Sequence, residues 1–135
     1  MIGIDTNIVL RWLGDELVED DNGHQAEALG LLDEMCGEAV FIKHVVVAET
    51  IWVLRRRMKF TRQASVALLR KILDTTDIVV PEADIVIEAV ERFSEYRGDF
   101  SDHLIGAINR RNGCSTTYTF DKAASKSPHF SELQR

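Results

Sequence analysis

Four times along this chain a short apolar run ends in a turn and gives way to a segment of helical period. The first run, Ile2 to Ile4, meets "DTN", three residues that each favour a helix N-cap, and then the apolar "IVLRWL". The second, "AVFI", precedes "VVVAETIWVLRRRM", which is apolar on almost every side and is expected as a helix sunk in the core. "IVV" before Pro81 predicts a third strand, and Ala83, Val86, Val90 and Phe93 mark the helix after it. "STTYTF" predicts a fourth, followed by "DKAASK" as a short last helix. Between these pairs, Ala26, Leu29, Leu32 and Met35 recur at helical spacing up to Gly37, behind the acidic loop "GDELVEDDNG", and Thr61 is placed to cap a helix reaching about Leu73. Ser101 is expected to cap "DHLIGAINRRN", which Gly113 closes as a C-terminal glycine. Strands alternating with helices imply an α/β fold, a parallel sheet of about four to five strands covered by helices on both faces.

Composition sets the scale and excludes several classes. With 135 residues and 45% hydrophobic content, residues 1–135 are expected to form one domain around one core. No internal repeat or linker interrupts them. Two cysteines, Cys36 and Cys114, neither in a CxxC pair, argue against a disulfide framework or zinc knuckle and fit reduced thiols in a cytoplasmic protein. "MIGIDTNIVL" has no basic leader, and Lys43, His44 and Glu49 break the apolar run "FIKHVVVAETIWVL", so neither a signal peptide nor a membrane span is expected. The net charge of −6 would repel nucleic acid unless basic patches or a bound cation offset it.

Three aspartates, Asp5, Asp102 and Asp121, sit where a strand or loop hands over to a helix. Each alone reads as a cap that accepts orphan amide hydrogen bonds and complements the helix dipole. In an open parallel sheet, however, all strand-to-helix turns emerge at the carboxyl edge where ligands bind, which makes Asp5 and Asp121 neighbours. Glu49 differs. Its helical neighbours Val45, Val46, Trp52 and Val53 are apolar, so it is expected as a buried carboxylate that needs a tertiary salt bridge, a raised pKa or a metal. A cation shared by Asp5, Glu49, Asp102 and Asp121 accounts for all four. An oxygen-only donor set favours magnesium or manganese over zinc, and His103, one residue from Asp102, points elsewhere on the helix. Ions held in this way activate water and stabilise charge on phosphoryl oxygens, so phosphodiester hydrolysis is the natural chemistry. The four acids supply −4 of the net −6 and leave −2. "RRRMKFTR" offers Arg55, Arg56, Arg57, Lys59 and Arg62 to a nucleic-acid backbone, or is a solvated helix end complementing the dipole.

With "DTN", "VVVAETIWVL", "DFSDHLIGA" and "TFDK" in this order over nearly the whole chain, the sequence resembles PIN-domain ribonucleases, most closely VapC-type toxins of toxin–antitoxin pairs. The resemblance implies a PIN-domain fold and a metal-dependent endoribonuclease. Asp5, Glu49, Asp102 and Asp121 would hold Mg²⁺ or Mn²⁺, with Asp99 as an auxiliary acid. Thr6 and Thr119 would match hydroxyls that orient those carboxylates, and Asn7 completes the first motif, although Thr119 also suits an ordinary strand position. Implied partners are an RNA substrate, transfer or ribosomal RNA, a VapB-like antitoxin and a second copy in a homodimer. Ser101 capping unaided would free Asp102 for a metal.

Two other readings compete. Haloacid-dehalogenase-like phosphatases also place an aspartate after the first strand, but need a second one two residues on as general acid, where this chain has Asn7. A non-catalytic module could use the same acidic pocket to bind RNA or a peptide. The chain carries no GxSxG elbow, P-loop or dinucleotide fingerprint.

Overall fold

The computed structural model describes residues 1–13 and 38–134. The helix expected over Ala26 to Met35, its acidic loop and Cys36 lie outside those residues. In order come β1 (Ile2–Gly3), α1 (Thr6–Leu13), β2 (Val40–Phe41), α2 (His44–Arg56), α3 (Arg62–Asp74), β3 (Ile78–Val79), α4 (Ala83–Glu95), α5 (Phe100–Arg111), β4 (Thr117–Thr119), a single 3₁₀ turn at Ala124–Lys126 and β5 (Phe130–Glu132). Every strand pairing is parallel, as the alternation predicts. The strands form two hydrogen-bonded groups, β1-β2-β3 and β4-β5, with Ile2 opposite Val40, Val40 opposite Ile78 and Thr117 opposite Phe130. The first group extends by single bonds past its strand ends: Ile4 N–H donates to Phe41 O at 3.2 Å and Ile42 N–H to Val79 O at 2.9 Å.

The core lies where α2, α3, α4 and α5 meet the three-stranded group. Ile42, Leu54, Leu69, Ala89, Phe93 and Ala107 are fully buried there. Phe93 is its hinge point, edge-on to Phe100 at 5.8 Å between ring centroids. Arg62 stacks over the other side of that ring at 4.5 Å and donates to the carbonyls of Phe93, Tyr96 and Gly98 at 2.8 to 3.2 Å. The turn between α4 and α5, which ends in Gly98 at φ +105°, is thereby clamped to the start of α3. Burial pushes the Arg62 guanidinium below its ordinary pKa. Gly106 lets β5 approach α5: a Cβ there would meet Phe130 Cε2 at 2.7 Å and His129 Cβ at 3.1 Å.

Several boundaries follow the sequence. Thr61 Oγ1 accepts the Ala64 amide at 3.0 Å, and α5 ends through Gly113 at φ +91°, whose N–H reaches Arg110 O at 3.0 Å. Three readings need correction. The cap of α5 is Asp99, two residues before Ser101, and the helix already includes Phe100. Helix α2 is not sunk on all sides: Val47, Thr50, Ile51 and Leu54 are buried, whereas Val45, Glu49, Trp52 and Arg56 form an outward stripe at i, i+4, i+7 and i+11. The segment "DKAASK" winds only a 3₁₀ turn. Strand β5 was not foreseen as a segment, because "HFSE" has too few apolar residues to show a strand period.

Candidate active site

The three sequence-selected aspartates Asp5, Asp102 and Asp121 each stand at the start of a helical segment for a local reason. Asp5 leaves β1 and caps α1, its Oδ1 accepting the Ile8 amide at 3.2 Å. Asp121 leaves β4 and accepts the amides of Ala123 at 2.8 Å and Ala124 at 3.4 Å on Oδ1, while its own N–H donates to Thr119 Oγ1 at 3.0 Å. Asp102 lies in the first turn of α5, with Oδ2 accepting the Asp99 amide at 3.1 Å. Capping and a second task are therefore not exclusive. A carboxylate has about four lone-pair directions, and these bonds occupy only one or two of them.

Asp102 is the most telling of the acids. It is half-buried, and burial, reinforced by the negative charges of Asp99 and Asp121, pushes its carboxyl above the ordinary aspartate range, while the Asp99 amide and His103 pull the other way. The three aspartates thus share one electrostatic neighbourhood although 22 positions separate Asp99 from Asp121. His103 is fully buried, its Nε2 donating to Arg97 O at 2.9 Å beside the Phe93 ring, and burial pushes its pKa down. Its ring is held in the core by that bond and has no exposed nitrogen to offer a cation.

Glu49 corrects the sequence reading. It is exposed on the outward stripe of α2, so its charge has no burial cost to offset. It borders a cleft instead. An open cleft runs between α1, α2 and α5, lined by Thr6, Asn7, Glu49, Trp52, Arg57 and Ser101 among others. Asp5 directly precedes the first two of these residues and Asp102 directly follows the last. Thr6 is buried in the wall, while Asn7 is exposed at the mouth. Ser101 and Trp52 were not singled out from sequence: Ser101 had been read as a cap, and Trp52 as part of a buried apolar stripe.

The basic run divides. Arg55 donates to Phe60 O at 2.9 Å and lies 5.9 Å from the Phe93 ring centroid, and Arg62 is the clamp described above, so both guanidinium groups hold the protein together. Those bonds leave fewer of their N–H donors for the nucleic-acid backbone expected from the sequence. Arg56 lies 3.8 Å from Asp99 in an exposed ion pair, the kind worth at most about 1 kcal/mol. Arg57 and Lys59 are exposed, Arg57 beside the cleft that Glu49 lines.

Among the described residues, no three His, Cys, Asp or Glu side chains are gathered at metal-ligand spacing. The donor set nonetheless suits a hard cation. Magnesium keeps several waters and is often held by only one or two carboxylates, so a closed protein cage is not required. The negative charges of Asp99 and Asp121 that act on Asp102 are what a nearby cation would offset.

The family model described as the PIN domain matches residues 2–128. No curated protein matches the chain. Among solved structures, the sarcin-ricin loop cleaving toxin VapC20 of Mycobacterium tuberculosis is similar at 26% identity over 93% of this chain and 94% of that one, with a TM-score of 0.38.

Proposed function

Because the chain belongs to the PIN-domain family, we propose that it is a Mg²⁺- or Mn²⁺-dependent endoribonuclease, the toxin of a VapBC-type pair. The observation that carries this reading is the concentration of negative charge around half-buried Asp102, next in sequence to Ser101 of a cleft that also takes in Glu49 and the Thr6–Asn7 turn. Asp5, Glu49, Asp102 and Asp121 would hold the cation, with Asp99 assisting. A bound divalent ion supplies charge neutralisation at the phosphate and a more acidic attacking water.

The chain's own residues prepare that chemistry. Thr119 fixes the backbone at Asp121 through its hydroxyl, and the Asp99 amide fixes Asp102 through Oδ2. Buried Thr6 holds the first turn of α1 against the cleft wall, with Asn7 at the mouth. Arg57 beside the cleft and exposed Lys59 attract the RNA backbone. In the reaction, water adds to phosphorus in line with the departing ribose oxygen, breaking one P–O bond and leaving two RNA fragments.

The partners follow the same reading: an RNA substrate, transfer or ribosomal, a VapB-like antitoxin that silences the site, and a homodimer acting in the cytoplasm. The test is incubation of purified protein with total RNA in manganese, magnesium or EDTA, followed by mapping of new ends. Discrete metal-dependent ends are expected. Binding without new ends would instead support the module that holds RNA or a peptide uncut, and cleavage undiminished in EDTA would remove the metal from the mechanism.

A further inference from the structure

Trp52 is the large apolar side chain that borders the acidic cleft, and it is 48% exposed. It also borders a second, smaller hollow with Ile51, Arg56, Asp99 and Phe100. Its indole thus borders both, with Glu49 and Arg57 in the cleft and the Arg56–Asp99 ion pair in the smaller hollow. Its helix gives a reason to ask why it is there: buried Val47, Thr50, Ile51 and Leu54 already supply the packing face, so an outward tryptophan adds little to the core. An exposed aromatic face flanked by arginines and next to a phosphate-cleaving site has the chemistry of a stacking platform for an unpaired base.

We propose that Trp52 stacks against an unpaired base of the substrate and so positions the neighbouring phosphodiester over the cleft. The proposal rests on the nuclease reading above. Within it, Trp52 is a positioning residue, and Arg56 and Arg57, on either side of it in the two lining sets, are the cations nearest the stacked nucleotide. A duplex keeps its bases in the stack and offers nothing to the indole, so discrimination between looped and paired RNA follows directly.

The chain has two tryptophans, and Trp12→Phe leaves Trp52 as the only indole emitter. In that background, in calcium buffer, a short single-stranded RNA should quench the fluorescence strongly, and the same sequence in a duplex should not. In steady-state cleavage of a single-stranded substrate, Trp52→Ala should raise KM about tenfold with kcat changed far less, and Trp52→Phe should restore most of the loss. Equal quenching by duplex and single strand, or an unchanged KM in Trp52→Ala, overturns the proposal while leaving the nuclease intact. Quenching by single-stranded RNA from a protein that cleaves no RNA in manganese defeats the nuclease reading instead. A Trp52→Ala variant with wild-type KM that no longer responds to a protein inhibitor assigns the face to a protein partner and overturns the proposal as well.

Discussion

Asp102 shows how one residue serves the helix and the site together. Its folded-state pKa is raised, so the folded protein binds more protons than the unfolded chain between the two pKa values, and stability falls as pH rises through that window. Asp102→Asn removes the opposed charge, and its amide oxygen can still accept the Asp99 N–H. In EDTA at neutral pH the variant is therefore expected to melt at or above the wild type, an advantage that fades as pH falls towards the ordinary aspartate pKa of about 3.9. Millimolar manganese should reverse the order by stabilising only the protein that binds it. Melting curves in the two buffers at several pH values check this. Asp5, Asp102 and Asp121 were legible because helix starts announce themselves through capping residues. The exposure of Glu49 was not legible, because periodicity names the neighbours on its own helix and is silent on which face the rest of the fold covers. The offset from Ser101 to Asp99 has a similar origin, since "DFSD" offers three residues competent to cap and only tertiary placement chooses among them.

At the scale of elements, the basic end of α2 and the first residue of α3 separate by task, although both read simply as charge in the sequence. Arg62→Ala removes the donor from the three carbonyls between α4 and α5 and should cost on the order of 2 kcal/mol of stability by denaturant titration. It should leave the salt dependence of RNA binding unchanged. Arg57→Ala and Lys59→Ala should do the opposite, each flattening the salt slope by about one ion with little effect on unfolding. Gly106 makes a comparable statement about α5 and β5. Alanine there gains about 1 kcal/mol of helix propensity but drives Cβ into Phe130, so a net loss of stability is expected, because overpacking costs about 1 to 3 kcal/mol. The displaced β5 carries β4 with it and hence Thr119 and Asp121, so cleavage should fall by more than the unfolded fraction explains. Thermal unfolding and kcat measured on the same preparation decide the point. Strand order and the division into two hydrogen-bonded groups were beyond the sequence, since strands of two or three residues carry almost no register information.

At the scale of the whole molecule, five helices and five parallel-paired strands among the described residues bring Asp99, Asp102 and Asp121 into one acidic neighbourhood, with Asp102 adjoining Ser101 of an open cleft, in a chain of net charge −6. On the proposed nuclease reading, exposed cations at the rim set RNA affinity and the divalent ion at the acids serves the chemical step, so added salt should weaken binding while loss of a metal ligand should abolish cleavage with little loss of affinity. None of the described helices is long and apolar enough to cross a membrane. The fold class was legible from alternation alone, because four apolar runs each handing over to a helix admit few architectures. The cleft was not, since it depends on how α1, α2 and α5 pack. The most direct measurement is the single-turnover cleavage rate of a mapped RNA site in manganese for the wild type and for Asp5→Asn, Glu49→Gln, Asp102→Asn and Asp121→Asn, with RNA affinity measured in parallel. Glu49 is exposed, so its substitution should barely change stability, and any lost activity reports on the site alone. A fall of about two orders of magnitude or more in all four, with affinity nearly unchanged, is the predicted result. Wild-type cleavage by Asp102→Asn would contradict the account at its centre.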